Sequence, residues 1–399
     1  MGMKTQVYEY HRDHGSLVDY AGFELPVWFE GIIPECKAVR THAGIFDVSH
    51  MGRVLVDGRD AEPFLNNLTT NSVSALPVGR GQYSLLCNQE GGIIDDLTIF
   101  RLTSNRFLVV YNAGNREKDW NWLQKHRLPF EVRLDDVSEN VAMFAVQGPQ
   151  SGNLLGKVSG VKLGEIERYG TAETKIRGVR CLLTRSGYTG EDGFETYVWD
   201  TNTKDPERAL RVWGALLEEG RDLGLRPAGL GARDVLRLEA GMCLYGNDID
   251  EATSPVEAKL GWVVRLEKHG FLGKNPILKL KESGPSRMRV GFRMLEKGIP
   301  RQGQEIRSGT GVVGRVTSGT LSPTLGVGIG MGFVKPSLSK IRERVTIRIR
   351  ERDTLAEVVK LPFYQRRSED EVVVFGEVMG FKDFRAGYGS MGKPETLAS

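Results

Sequence analysis

Two adjacent aspartates interrupt an apolar stretch in the segment IIDDLTI, residues 93–99. Burying a carboxylate without a partner is costly, so acids in such a stretch require either partners or a function. Successive side chains of a strand point to opposite faces, and we therefore expect Asp95 and Asp96 not to enter the same cavity. From these residues alone, a turn acid followed by a strand-edge acid is the favoured interpretation, ahead of a catalytic one.

A second set of acids lies in the glycine-rich segment GYTGEDGFE, residues 187–195. Its regularly spaced glycines predict a tight loop whose backbone can closely approach a ligand, and Tyr188 offers a planar face for stacking. We expect Glu191 and Asp192 in an exposed turn. Glu195 resumes a strand, and its carboxylate suits the flat, guanidine-like edge of a ring such as a pterin. A salt-bridged strand residue is an equally good interpretation of Glu195.

Two arginines follow in the helical segment GLGARDVLRLEAG, residues 229–241. Arg233 and Arg237 are separated by one helical turn, so they share a face, and Asp234 is placed to pair with either. A guanidinium group suits a carboxylate or carbonyl of a ligand. A structural ion pair is nevertheless the favoured interpretation of each arginine from these residues alone.

The residues around the acidic pair alternate strands with helices, so a sheet is expected to position the pair. Residues 53–139 contain the strand RVLVDG, the helix AEPFLNNL, the strand QYSLLCN, and the strands LTIFRL and RFLVVYN around a turn at TSN. Asn115 is expected to cap the helix REKDWNWLQKH with its side chain. This part of the chain predicts an α+β domain with an antiparallel sheet.

The other two sets of residues fall in a mixed region, and the C-terminal part is rich in strands. Residues 140–270 combine the strands FAVQGP and CLLTRSGY with a helix from about Asp205 and the helix that carries the arginines. After the linker KESGPS, residues 285–399 predict strands such as VTIRIR, in which apolar and polar residues alternate. The motif GTGVVG at 309–314 precedes a strand and not a helix, so we interpret it as a turn and not as a dinucleotide site.

Composition argues against several classes of function. The length of 399 residues predicts two or three domains, and a net charge of +3 with interspersed acids and bases does not support nucleic-acid binding. No apolar run reaches about 18 residues, so we expect no membrane partner and a cytoplasmic protein. The four cysteines are widely spaced and are interpreted as buried apolar residues, and no histidines have metal-ligand spacing. Chemistry without a metal is therefore expected.

Taken together, these segments resemble the glycine cleavage T-protein family along most of the chain. The resemblance includes further segments: AVRTHAGIFDVSHMG at 38–52, VQGPQ at 146–150, GLGARDVLRLEAGMCLYGNDIDE at 229–251, SPVEAKLGW at 254–262 and TSGTLSPTLG at 317–326. It implies an α+β fold of three domains in a cloverleaf around a central folate channel. The implied domains are a discontinuous folate-binding domain (1–52 and 140–270), the domain with the acidic pair (53–139), and a β-rich C-terminal domain with an extended tail (285–399).

The resemblance also assigns roles to single residues of this sequence. The catalytic aspartate of the family matches Asp96, with Asp95 as a supporting neighbour. The residues that match folate-binding positions are Glu195, Arg233, Tyr83, Tyr188 and Tyr364. The segment that follows the last of these tyrosines carries no motif that we can interpret.

The resemblance further implies a reaction. The family transfers the methylene carbon of an aminomethyl group, carried on the lipoyl arm of an H-protein, to tetrahydrofolate. The products are 5,10-methylenetetrahydrofolate, ammonia and dihydrolipoyl H-protein, and no metal takes part. Tetrahydrofolate and lipoylated H-protein are thus the expected substrates, entering the channel from opposite sides. In this scheme Asp96 orients the pterin near N5 and stabilises the cationic iminium that develops as the donor departs.

Two alternatives share the fold. One is another folate-dependent one-carbon enzyme, such as a demethylase or the folate domain of a dimethylglycine or sarcosine oxidase, but those oxidases carry a flavin domain that nothing in this sequence resembles. The other is a non-enzymatic folate-binding protein of the iron–sulfur assembly type. Its KGCYxGQ segment is replaced here by AGMCLYGN at 240–247, and the acidic pair is retained. The sequence therefore favours the transferase.

Overall fold

The computed structural model describes residues 2–366, and the predicted C-terminal tail from residue 367 onward lies outside the described residues. The α-helices are α1 (Tyr8–His14), α2 (Ile32–Thr41), α3 (Ala61–Leu68), α4 (Arg116–Lys125), α5 (Ser151–Ser159), α6 (Glu207–Gly220), α7 (Leu230–Glu239) and α8 (Lys274–Ser283). The strands are β1 (Ser16–Tyr20), β2 (Phe23–Trp28), β3 (Ala43–Asp47), β4 (Gly52–Asp57), β5 (Arg80–Cys87), β6 (Ile93–Thr103), β7 (Arg106–Tyr111), β8 (Arg133–Asp136), β9 (Val141–Gln147), β10 (Thr171–Ile176), β11 (Val179–Thr184), β12 (Gly193–Trp199), β13 (Leu225–Pro227), β14 (Met288–Met294), β15 (Glu305–Ser308), β16 (Gly311–Ser322), β17 (Val327–Val334), β18 (Arg344–Ile349) and β19 (Arg352–Val359).

A six-stranded sheet organises the first part of the chain, in the order β10-β11-β12-β9-β3-β13. Its strands are antiparallel except for β13, which runs parallel to β3. On one face apolar side chains pack against α5 and α6, and Phe144 meets Trp213 at a ring-centroid distance of 5.1 Å. On the other face Met143 and Tyr197 pack with side chains from a second sheet. The strands are accordingly apolar on both faces, because each face covers a separate core.

The second sheet has five antiparallel strands in the order β5-β6-β7-β4-β8. It confirms the predicted antiparallel sheet, and α3 coincides with the predicted helix AEPFLNNL. Side chains alternate along β6: Leu97 and Ile99 belong to the core under α3, whereas Phe100 packs against the six-stranded sheet. Asp96 therefore shares the face of Phe100, and Asp95 shares the face of Leu97.

The strands β14-β17-β16-β15-β18-β19 close into a barrel, which confirms the predicted β-rich C-terminal part. Val345 and Ile347 belong to the core of the barrel, as the alternation in VTIRIR predicts. The motif GTGVVG begins in the turn between β15 and β16, where Ser308 pairs with Gly311, and its last four residues belong to β16. The interpretation as a turn is therefore confirmed for Gly309 and Thr310, and the motif precedes a strand as predicted.

Helix α7 connects the sheets to the barrel. Its Leu238 packs against Ile329 and Met331 of β17. At the end of the helix, the buried Glu239 accepts hydrogen bonds from Arg40 of α2 at 2.7 Å and from Thr324 of the β16–β17 turn at 2.9 Å. Because a buried carboxylate requires such donors, this contact holds three elements in one arrangement around the helix.

The same buried arginine corrects a prediction about the glycine-rich loop. Arg40 pairs with Glu191 at 3.0 Å, and neither side chain is exposed. Glu191 also pairs with Arg366 at 2.5 Å. The predicted exposed turn is therefore wrong for Glu191, whose charge two guanidinium groups enclose, whereas Asp192 is exposed as predicted.

Two further observations concern the interior and the helices. All four cysteines are buried and unpaired, so their interpretation as small apolar residues is confirmed. Within residues 2–366, no helix combines the length and the apolar character needed to cross a membrane.

Candidate active site

A cavity of about 660 Å³ is lined by residues of both sheets and of the barrel. Five of the six residues predicted to carry the chemistry line this one cavity: Tyr83, Asp96, Tyr188, Glu195 and Arg233. They come from β5, β6, the loop before β12, β12 itself and α7. Residues separated by up to 150 positions in the sequence are thus brought to one site because the two sheets and the helix surround it.

Asp96 is held by two donors at the edge of the cavity. The Tyr83 hydroxyl donates to its Oδ2 at 2.9 Å, and the Asn112 amide donates to its Oδ1 at 2.8 Å. Burial, followed by the charge of Asp95, raises the pKa of Asp96 to about 7, although both donors oppose this shift. A carboxyl group with a pKa near neutrality can exchange a proton with a ligand and can also act as a charge.

Asp95 lies on the other face of the strand and is fully buried, as the alternation predicts. It accepts hydrogen bonds from the Asn112 backbone at 3.0 Å, from the Asn112 amide at 2.8 Å and from the Asn115 amide at 2.7 Å. The amide of Asn112 therefore contacts both aspartates. The predicted cap of α4 is wrong, because the Asn115 side chain makes no cap hydrogen bond and instead donates to the buried carboxylate.

A third acid, Asp119 of α4, is buried on the same side as Asp95. Burial, with the neighbouring charge of Asp95, raises the pKa of Asp119 well above its ordinary value. Burial thus disfavours the charged form of Asp119, which lies with the hydrogen-bonded Asp95 behind Asp96. Sequence reasoning missed Asn112, although it is the last residue of the predicted strand RFLVVYN, and it had no signal for Asp119 within REKDWNWLQKH.

Glu195 of β12 presents its carboxyl group to the cavity without a cationic partner. The Ser186 hydroxyl donates to its Oε2 at 2.6 Å, and no ammonium or guanidinium nitrogen within residues 2–366 lies within 4.0 Å of the carboxylate. The interpretation as a salt-bridged strand residue is therefore wrong. Burial raises the pKa of Glu195, while Ser186 and the charge of Arg233 act in the opposite direction.

The two arginines of α7 differ in their surroundings. Arg237 is buried and pairs with Asp234 at 2.7 Å and with Asp248 at 2.6 Å. The Arg233 guanidinium instead stacks on the Tyr188 ring at 4.7 Å, and no described carboxylate lies within 4.0 Å of it. The interpretation as a structural ion pair therefore holds for Arg237 and not for Arg233. Arg233 is left with a free hydrogen-bonding edge in the cavity.

Tyr364 is not among the residues that line the cavity. Its ring lies 4.0 Å from the Arg40 guanidinium, and its backbone N–H donates to the Glu239 carbonyl at 2.8 Å. These contacts place it beside the buried ion pairs at the end of α7. The structure thus does not bring Tyr364 together with the other predicted residues, and its role in folate binding remains a prediction without support from this placement.

Several lining residues were missed by sequence reasoning. Trp262 stacks on Tyr83 with a centroid distance of 5.7 Å and an interplanar angle of 17°. Cationic side chains also line the cavity: Arg168, Lys259, Arg289 and Lys360. These cations suit an anionic group of a ligand. The carboxylates of Asp96 and Glu195 suit a ring that carries hydrogen-bond donors.

Comparison with known proteins identifies the family. The family described as the GCVT N-terminal domain matches residues 7–268, and the glycine cleavage T-protein C-terminal barrel domain matches residues 287–365. The chain belongs to the glycine cleavage T-protein family. An aminomethyltransferase of Halothermothrix orenii is 47% identical over 90% of this chain and 99% of the relative. An aminomethyltransferase of Caldanaerobacter subterraneus subsp. tengcongensis is 44% identical over 91% of this chain and 96% of the relative.

A solved structure supports the assignment to this family. The crystal structure of the glycine cleavage system aminomethyltransferase T from Bartonella henselae matches with a TM-score of 0.85 and 34% identity, over 92% of this chain and 99% of that chain. The predicted membership and fold class are confirmed. Aminomethyl transfer is accordingly the activity of this T-protein family member, and it is an enzyme of the transferase class.

Proposed function

We propose that the cavity transfers the methylene carbon of an aminomethyl group, carried by a lipoylated H-protein, to tetrahydrofolate. The products are 5,10-methylenetetrahydrofolate, ammonia and the dihydrolipoyl H-protein. The observation that carries the proposal is Asp96, a carboxyl group with a pKa of about 7 that Tyr83 and Asn112 hold at the edge of the cavity. The same cavity presents Glu195 and Arg233, both without a partner of opposite charge within 4.0 Å among the described residues.

Glu195 and Arg233 are proposed to orient the pterin. The amino-pyrimidinone edge of a pterin has adjacent N–H donors, and the Glu195 carboxylate offers two acceptors to such an edge. The Arg233 guanidinium, fixed by stacking on Tyr188, offers donors to the pterin carbonyl. Binding the ring at its pyrimidine edge leaves N5 and N10 free to reach a second substrate.

Asp96 is proposed to act at the reacting carbon. As the carbon–sulfur bond breaks, its electrons go to sulfur and the carbon becomes part of a cationic iminium, which the Asp96 carboxylate stabilises. N5 bonds to this carbon, and N10 then displaces ammonia and closes the ring. The protons lost by N5 and N10 balance those gained by the sulfur and by the departing amine. A carboxyl group with a pKa near 7 is suited to move one of them.

The proposal is tested by a reconstituted reaction. Ammonia release from aminomethylated H-protein is measured with this enzyme, with and without tetrahydrofolate, and methylenetetrahydrofolate is measured in parallel. We expect equal amounts of the two products and strong dependence on folate. Ammonia release that is independent of folate, or that yields no methylenetetrahydrofolate, would contradict the proposal.

Three further proposals accompany this function. The domain division into 1–52 with 140–270, 53–139 and 285–399 is supported by the positions of the two sheets and the barrel. Residue Asp95 is proposed as a supporting neighbour of Asp96 and not as a second catalytic acid, since no part of it lines the cavity. A cytoplasmic location remains a prediction from the sequence.

A further inference from the structure

Two of the most exposed apolar side chains line the cavity. Trp262 and Ile341 are 61% and 60% exposed, and both line the cavity. Among the large apolar side chains of residues 2–366, only Leu128 is more exposed. Exposed aromatic residues at the edge of a concave site are typical of binding hot spots, because they bury a large rigid surface when a partner arrives.

Buried neighbours hold the backbone at Trp262 in place. Trp262 belongs to the 3₁₀ turn Gly261–Val263, and both Leu260 before the turn and Val263 at its end are buried. These two residues share an apolar core with Leu85 of β5. The backbone is therefore held against the strand that carries Tyr83, while the indole itself is left exposed.

One ring, that of Tyr83, lies between the indole and Asp96. The indole stacks on Tyr83 at 5.7 Å, and the Tyr83 hydroxyl donates to Asp96 at 2.9 Å. Two parallel rings thus extend from the exposed edge of the cavity to the proposed catalytic carboxyl group. Trp262 and Tyr83 therefore line the cavity between solvent and Asp96.

The chemistry of this surface favours one of the two substrates. The faces of aromatic rings are electronegative, so they attract cations and do not attract carboxylates. The glutamate tail of folate is anionic, and the cations Lys259 and Arg289 of the cavity suit it better. The donor arm is an uncharged chain that ends in an aminomethyl group, which is cationic when protonated.

We infer that Trp262 is the surface on which the lipoyl arm of the donor lies as its aminomethyl group approaches Asp96. This inference rests on the proposed function, since it takes the aminomethylated arm as the donor. The indole covers the apolar chain, and the cationic end of the arm lies beside the Asp96 carboxylate. Trp262 is thus a positioning residue for the donor and does not bind the pterin.

The test compares both substrates in the Trp262→Ala variant. We expect the KM for aminomethylated H-protein to rise about tenfold, in line with the loss of the apolar surface that covers the arm. The KM for tetrahydrofolate should stay within about twofold, and Trp262→Phe should restore most of the donor affinity. Leu210→Ala, which removes an exposed leucine of α6 outside the cavity, should change neither constant.

Two outcomes would overturn the inference. A raised KM for tetrahydrofolate with an unchanged KM for the donor would assign the indole to folate, and two unchanged constants would leave it no role in binding. If Trp262→Ala does not fold, Trp262→Gln allows the same comparison, because the flanking residues hold the turn. Wild-type turnover separates the two hypotheses: if the wild-type enzyme fails to form methylenetetrahydrofolate from this donor, the proposed function itself is wrong.

Discussion

Asp95 and Asp96 are neighbours in one strand, yet their carboxyl groups lie in different surroundings. Asp95 accepts three hydrogen bonds from Asn112 and Asn115 and is fully buried. Asp96 accepts one bond from Tyr83 and one from Asn112, and it faces the cavity. The protein itself satisfies the hydrogen-bonding capacity of Asp95. Asp96 can still accept hydrogen bonds from a ligand. Chemical type and position in the chain therefore do not distinguish a structural acid from a reactive one.

The same contrast extends to two more acids. Glu195 faces the cavity, as Asp96 does, and Asp119 is buried beside Asp95. We expect substitutions of the cavity acids to change binding or turnover with little loss of stability. Substitutions of the buried acids should mainly change stability. The predictions below test this division, beginning with the largest effect.

Asp96→Asn should reduce turnover by about 10²–10³-fold, because it removes the charge that stabilises the iminium and keeps the shape. Folate affinity should remain close to that of the wild type, since Glu195 and Arg233 are intact. The measurement is ammonia release at saturating folate and aminomethylated H-protein. If Asp95→Asn proves more harmful to turnover than Asp96→Asn, the roles within the pair are reversed.

Stability provides the matching control for this variant. Because the folded state raises the pKa of Asp96 from 3.8 to about 7, its ionisation becomes less favourable on folding. The resulting loss of stability begins as the pH rises above about 4 and is complete above about 7. Asp96→Asn should therefore be at least as stable as the wild type at pH 8, as thermal unfolding can measure. A melting temperature below that of the wild type would contradict the placement of Asp96 on the cavity face of its strand.

Glu195→Ala should weaken tetrahydrofolate binding by roughly 10–100-fold, the range expected from losing a charge-assisted hydrogen bond of about 1.5–3 kcal/mol. Calorimetric titration with folate measures the change directly. Glu191→Gln is the matched control, since this glutamate belongs to the same loop region but pairs with Arg40 outside the cavity. An unchanged folate affinity in a folded Glu195→Ala enzyme would remove the residue from the binding site.

Asp95→Asn should lower the free energy of unfolding by about 1–3 kcal/mol, because an amide has one acceptor oxygen and its own N–H groups face the two asparagines. Chemical denaturation at pH 7 measures this loss. Asp119→Asn should be milder, since burial already disfavours the charged form of this carboxyl group and raises its pKa. Equal stability of Asp95→Asn and the wild type would show that these hydrogen bonds are not needed by the fold.

The smallest effect concerns the pH dependence of the reaction. We expect kcat/KM to fall as the pH drops through about 7, since protonation removes the charge of Asp96. The charge of Asp95 raises the pKa of Asp96, so Asp95→Asn should move this midpoint to lower pH, by less than about one unit. A midpoint that stays in place would show that Asp95 does not influence Asp96 electrostatically.

Much of the local structure was predictable because short-range patterns determine it. The segment AEPFLNNL has an apolar stripe and forms α3, and the alternation in VTIRIR matches a barrel strand. The opposite orientation of the two aspartates also follows from strand geometry alone. The role of Asn115 was not predictable in this way. Its preference for a helix cap is local, but the buried carboxylate that it contacts instead lies 20 residues away in another element.

The sequence by itself determined the family, the transferase activity, and five residues that line the cavity, because these depend on residue types in a fixed order. Only the tertiary structure decided which charged side chains of residues 2–366 have a partner of opposite charge. Glu191 and Arg237 are enclosed by ion pairs, Glu195 and Arg233 are not, and Tyr364 lies beside Arg40. The physical reason is that the reactivity of a charged group depends on the partners within a few ångströms, and distant segments supply those partners.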